Sequence, residues 1–350
     1  MRFLRQCLMR WLLLLVFLAG AWAQPLPSHQ VSHTEESLRG VSAVSRQVAW
    51  ASGTHGTYLR TTDGGHTWSP AQVSDARALD FRAVVAFSSD EAFLMSAGPG
   101  DQSRIYHTGD AGRHWQLEFT NQNPQGFFDS MAFWDAKHGI VLGDPVRDEK
   151  GKLRFELLET EDGQNWRPLR ASQLPDAIEG EGAFAASNSS LAILRSGNDP
   201  NIWFATGGKV ARVFHSPDRG QTWTVVQAPI VQGPDSAGIF SIAFRDRLHG
   251  LIAGGDYKHP NDDVPDLAST NDGGKTWRVM QIDDARGHFS AVAFGAGSSP
   301  HWFLLGPDYL TESSQNGHAK YPDQKFYAIS TFREGGALIA GPKGAVAVVP

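Results

Sequence analysis

Two sets of carboxylates in this 350-residue chain have types and spacing that could do chemistry. In the first, Asp63, Asp110, Asp162, Asp218 and Asp272 each follow a Ser or Thr by two residues and precede a tryptophan by four or five. In the second, Asp144 and Asp256 directly follow glycines, Asp199 follows Gly197, and Asp129 and Glu181 open apolar runs. Two carboxyl groups a few ångströms apart can hydrolyse a glycosidic bond, one as acid and the other as base or nucleophile. A ring of them can instead hold a cation through oxygen ligands. Arg82, Arg104 and Arg147 are placed to pair with the second set. Against both readings stands turn chemistry, by which an Asp after Gly satisfies its own loop backbone.

The first set resolves on inspection of its neighbours. Thr61–Trp68, Thr108–Trp115, Ser216–Trp223 and Thr270–Trp277 repeat one phrase, [ST]-x-D-x-G-x-x-W, and Thr160–Trp166 is a copy one residue short. A decayed copy spans Ser314–Tyr321, with Asn for Asp and Tyr for Trp. The closing aromatics fall at 68, 115, 166, 223, 277 and 321, a period of about 50 residues that signals stacked supersecondary units. Within each copy Asp accepts backbone hydrogen bonds across a tight turn, and Gly65, Gly112, Gly220 or Gly274 supplies positive φ. Trp68, Trp115, Trp166, Trp223 or Trp277 then packs a large ring against a neighbouring sheet. Equivalent carboxylates repeated around such units are structural.

Strand-like runs set the architecture. Leu38–Val44, Phe81–Phe87, Phe128–Phe133, Gly182–Ser187, Ile239–Phe244, Phe289–Phe294 and Phe326–Phe332 start seven units. The seventh lacks a fourth strand, and residues 24–35 have no partner of their own. The expectation is an all-β, seven-bladed β-propeller of four-stranded antiparallel blades, closed by the N-terminal strand; six blades is the alternative. The turns carrying the phrase then share one face. The loops Gly143–Lys152, Gly197–Lys209 and Gly254–Leu267 are assigned to the other, where binding is expected. Asp129, Asp144, Glu181, Asp199 and Asp256 are expected to converge on a central depression there, with Arg147 or a cation between them.

The repeated phrase is the Asp box, or bacterial neuraminidase repeat, and the chain resembles that superfamily over nearly all of residues 24–350. Phe133–Gly143 (FWDAKHGIVLG) and Phe244–Gly254 (FRDRLHGLIAG) also match the F-x-D-x-x-x-G-h-h-x-G phrase of propellers related to the photosystem II assembly and stability factor. The first resemblance implies a site opposite the Asp boxes, as in sialidases. The second implies a non-catalytic assembly factor. The Arg-Ile-Pro signature of sialidases is absent, as are H-E-x-x-H, G-x-S-x-G and phosphate-binding loops.

Composition bounds the rest. Arg2, Arg5 and Arg10 precede an apolar run over Trp11–Gly20 and a small-x-small site at Ala21–Ala23, the pattern of a secretory signal peptide over residues 1–23. Three of the 31 basic residues and none of the 37 acidic ones lie in that leader, leaving a formal charge of −9 and no basic face for nucleic acid. The one cysteine, Cys7, is also in the leader, so disulfides and thiolate chemistry are excluded from the remainder. The insertion His259–Asp266 carries oxygen ligands without EF-hand spacing, and His138 and His249 occupy equivalent turns. The expected protein is a single-domain, monomeric, exported propeller, periplasmic or extracellular, that binds a protein partner without catalysis. The alternative is an enzyme acting on a glycan or small polar ligand opposite the Asp boxes. No cofactor is expected beyond a cation at the channel mouth, and no membrane span after cleavage.

Overall fold

The computed structural model describes residues 26–170, 172–194, 199–283, 285–296, 301–314, 317–323 and 325–350. The signal-peptide expectation, for residues 1–23, lies outside them. Seven antiparallel four-stranded blades form the ring, and the sheet of blade 5 carries two further short strands at its inner edge. Blades 1 and 2 run in simple up-and-down order, Leu38–Ala43 to Ser69–Gln72 and Asp80–Ala86 to Gln116–Thr120. Blades 3, 5 and 6 repeat this over Phe128–Pro168, Ala237–Val279 and Ala291–Pro322. Blade 7 takes Ala328–Thr331, Ala337–Ala340 and Val346–Val349 from the C-terminus, and Ser28–Gln30 as its outer strand. Among the described residues no helix is long and apolar enough to cross a membrane.

Alternation of apolar residues forms the strands, and burial on both faces makes the inner two of each blade almost continuously apolar. Seven clusters of buried side chains each lie in a seam between adjacent blades, such as Trp50, Tyr58 and Phe81 between blades 1 and 2. The Asp boxes close the third-to-fourth hairpins. In the first, the Thr61 hydroxyl donates to Asp63 (2.8 Å) and accepts from the Gly65 amide (2.9 Å), while the Thr67 amide donates to Asp63 (2.9 Å). The same net recurs at Asp110, Asp162, Asp218 and Asp272. Trp68 and Trp166 are buried, whereas Trp115, Trp223 and Trp277 are half-buried at the outer end of their seams.

Blade 4 departs from expectation. Its inner strand is Leu191–Ile193, followed by Ile202–Ala205, Arg212–Ser216 and Thr224–Gln227. Of Gly182–Ser187, expected as the inner strand, only Gly182 is in a strand. Glu181–Gly182 pairs with Gly207–Gly208, which joins the inner edge of blade 5 through Gly207 and Gly238. A side chain at Gly207 would meet Gly238 Cα at 2.8 Å, so the two backbones touch.

Candidate functional site

The segment that was to be a strand crosses the propeller axis instead. Ala183 donates its amide to Asp144 of blade 3 (3.0 Å), and Ala185 accepts at its carbonyl from Arg82 of blade 2 (2.9 Å). The Ser187 hydroxyl donates to the Ser290 carbonyl of blade 6 (2.9 Å), and Ser189 donates to Ser241 of blade 5 (2.8 Å). Asn188, with φ of 58°, presents its amide to the Met131 backbone of blade 3 and makes both hydrogen bonds (2.7 and 3.1 Å). One short run thus touches blades 2, 3, 5 and 6 and plugs the channel. Six of the eight residues at 183–190 are Ala or Ser, small enough for the narrow axis.

Inner strands begin at the face opposite the Asp boxes, and four of them begin with a bulge. The register slips at Leu38/Gly40, Phe81/Ala83, Phe128/Ser130 and Ile239/Ser241. The extra residues are Arg39, Arg82, Asp129 and Phe240, and a bulge re-aims its side chain relative to the sheet. Arg39 lies over the Tyr327 ring at 5.0 Å. Phe240 stacks on Phe184 of the plug at 3.9 Å and meets His288 edge-on at 4.4 Å. This mouth is therefore an aromatic half beside a charged half, over a plugged channel.

The six residues singled out in the sequence divide among several sites. Asp129 and Asp144 come together. Asp129 is 1 % exposed, and its Oδ2 has no hydrogen-bond partner among the described residues. Burial pushes its carboxyl well up, Asp144 and Glu156 push it further, and Arg82 opposes them. Burial raises Asp144 to about 6 against the Ala183 amide, and raises Glu156, which accepts from Asn121 at 2.7 Å. Arg82, ion-paired to Asp80 at 2.9 Å, supplies the charge expected of Arg147. Arg147 is exposed and bound to Glu179 at 2.6 Å.

Glu181, Asp199 and Asp256 do not join them. Glu181 is buried and held by Arg212, with Thr206 at 2.7 Å and the Ile178 amide at 3.0 Å. Asp256 caps its own turn, accepting from the Lys258 amide (2.9 Å) and facing His259 Nδ1 (3.0 Å); these and Ser236 hold it at about 2 despite burial. Asp199 lies on the Asp-box face, a correction to its placement. Gly197–Lys209 contains the strand Ile202–Ala205, so Asp199 precedes that strand, paired to Arg247 at 2.6 Å. Part of that loop, residues 195–198, lies outside the described residues. Among the described residues no three His, Asp or Glu converge to hold a metal.

The open end of the channel is on the Asp-box face. There a well of about 980 Å³ is floored by Met131, Asn188 and Ile242 and rimmed by Arg245, Arg247 and Arg333. Sequence reading missed Arg39, Glu156, Phe184, Asn188, Phe240 and Tyr327. The signal was present: counted from the end of each inner strand, Arg39, Arg82, Asp129, Phe240 and Tyr327 hold one repeat position where alternation breaks.

Ring, boxes and plugged axis define a seven-bladed Asp-box propeller. Residues 23–126 match the family model described as photosynthesis system II assembly factor YCF48. The chain is 24% identical over 324 residues to the photosystem II assembly protein Ycf48 of Thermosynechococcus vestitus, covering 78% of this chain and 80% of that one. It is 24% identical over 298 residues to the chloroplastic photosystem II stability/assembly factor HCF136 of Arabidopsis thaliana, covering 73% and 70%. Among solved structures, virginiamycin B lyase from Staphylococcus aureus shares the fold, with a TM-score of 0.61 at 12% identity over 91% of this chain and 96% of that one. The chain is thus an Asp-box propeller similar to the photosystem II assembly factors.

Proposed function

We propose that this chain is an exported, non-catalytic propeller that binds a protein partner through the face opposite its Asp boxes. It serves assembly or stability of a complex, the role its relatives' names give those proteins. The observation that carries this is the plug. With residues 183–190 across the axis, the mouth offers a broad surface of Arg39, Arg82, Phe184, Tyr257 and Tyr327 in place of a pocket. Mixed aromatic and arginine surfaces of this kind suit protein recognition.

A glycosidase reading has one observation behind it, the adjacent carboxyls of Asp129 and Asp144 with raised pKa. Asp129 is 1 % exposed beneath the plug, out of reach of a sugar. The test is a pull-down from the native envelope fraction with wild type, a Tyr257→Ser/Arg39→Glu variant and, for the other face, Arg333→Glu. The Tyr257/Arg39 variant is expected to lose the wild-type partner and Arg333→Glu to keep it. The reverse pattern would move the platform to the Asp-box face.

A further inference from the structure

Five seams are wedged by a box tryptophan that packs between its own blade and the preceding one. Trp68 fills the 7/1 seam, Trp115 1/2, Trp166 2/3, Trp223 3/4 and Trp277 4/5. The 5/6 seam has no box tryptophan. It holds Trp302 instead, from the second strand of blade 6, at the register where blades 1, 2, 3 and 5 carry Ala49, Ala92, Gly139 and Gly250. Strand register says why. The tryptophan stands opposite the Ser or Thr of its box, as Trp166 does opposite Thr160. In blade 6 the serine of the sequence match, Ser314, pairs with Gly317. It is Ser313 that stands beside Trp302 as Thr270 stands beside Gly250. The residue opposite Ser313 is His318, exposed and 5.3 Å from the Trp302 ring. Tyr321, matched to the tryptophan in the sequence, pairs with Leu310 and is buried in the 6/7 seam. Residues 315–316 of the decayed box lie outside the described residues.

The blade 5 wall is aliphatic, as in blades 3 and 7, which carry Ile140/Glu159 and Leu338/Val348. Blades 1, 2 and 4 carry the cross-strand pairs Trp50/Arg60, Phe93/His107 and Trp203/His215. At the same register blade 5 carries Leu251/Ser269. A cleft of about 450 Å³ remains, lined by Leu251, Phe294 and Trp302 and by Arg245, His249 and Arg278. That volume falls within the roughly 300–1,000 Å³ of small-ligand sites. Among the described residues no carboxylate lines it. Asp246 engages Arg245 at 3.3 Å and His249 at 2.8 Å from outside the lining. Arg278 is exposed, and its side chain has no ion pair or hydrogen bond among the described residues.

We propose that this seam is a binding site for a planar aromatic group bearing a carboxylate. The ring takes the cleft beside Trp302, between it and Leu251. The carboxylate meets Arg278, whose planar fork matches it with two parallel hydrogen bonds. The site lies on the Asp-box side and does not rest on the protein-platform reading. Its ligand chemistry has two sources, a free aromatic acid or a tryptophan ending a polypeptide.

Equilibrium dialysis of the mature protein tests it with indole-3-propionate, acetyl-Gly-Gly-Trp with a free C-terminus, and tryptamine. At least one of the two acids binds saturably at one equivalent, and tryptamine, the same ring on a cation, binds at least about tenfold more weakly. Binding of the peptide alone assigns the site to a polypeptide end, and binding of the free acid to a small molecule. Arg278→Glu, on the surface, weakens binding by about tenfold or more, and Leu251→Trp, which fills the cleft as Trp50 and Trp203 fill theirs, abolishes it. Absence of saturable binding by both acids overturns the proposal. So does binding unchanged in Arg278→Glu, which decides the matter if Leu251→Trp fails to fold.

Discussion

Two buried carboxylates at one face of this ring differ in their nearest partners. Glu181 receives Arg212 together with Thr206 and the Ile178 amide. Asp129 has only Arg82 opposing burial and two neighbouring carboxyls, and its pKa rises. Raised values set the sign of a pH dependence. A carboxyl that holds its proton more tightly when folded stabilises fully below its unfolded value, 3.8 for Asp144, and loses that as pH passes its folded value of about 6. A shift of that size corresponds to about 2–3 kcal/mol. Asp63, Asp110 and Asp272, held at about 2 chiefly by hydrogen bonds to Thr67, His114 and Thr276, act oppositely, losing their contribution as pH falls toward 2. Urea unfolding at pH 4.5 and 7.5 is therefore expected to show a smaller loss of stability with rising pH in Asp129→Asn/Asp144→Asn than in wild type. Equal losses in both would mean these carboxyls are ionised in the folded chain.

The plug is the element on which the site depends, and Asn188 is its anchor. Its side chain copies a peptide group, accepting from the Met131 amide and donating to the Met131 carbonyl, while its backbone holds φ of 58°. Asn visits this region more readily than Ala because its short side chain bonds locally. Asn188→Ala loses both bonds and strains the turn, an expected cost of about 2–4 kcal/mol. Asn188→Gly removes the strain and keeps the loss of bonds, so it should fall between Ala and wild type in denaturant midpoint. Values for both within experimental error of wild type would show that the plug is held elsewhere.

The whole ring closes through three residues of the N-terminal segment. Ser28–Gln30 adds to Val346–Val349, and Gln30 then reaches into blade 1, donating to the Gly64 carbonyl (3.0 Å) and accepting from the Trp68 indole (2.9 Å). Gly65 lets this happen: a Cβ there would sit 2.0 Å from the Gln30 side chain. The fastening thus joins the last blade to the first through an Asp box. A chain beginning after Val31 is expected to unfold at lower denaturant, at about 1 kcal/mol for each hydrogen bond lost. In hydrogen exchange, the amides of Val346–Val349 should lose protection before those of blade 3. Uniform loss around the ring would show instead that closure is cooperative with every seam.

The sequence by itself determined the boxes, the seven blades and the strand that closes them. Those rest on turn chemistry and alternation within about ten residues, which any stretch carries with it. Tertiary structure alone decided the path of 183–190, whose Ala and Ser residues fit a strand or a channel axis equally well and were drawn inward by partners 39 to 103 residues away. It decided that Glu181 would meet Arg212 and that Asp199 would stand on the Asp-box face, both consequences of where blade 4 begins. It also placed His318 in the register of the missing tryptophan, because a hairpin's pairing, not residue resemblance, fixes which side chain faces a seam.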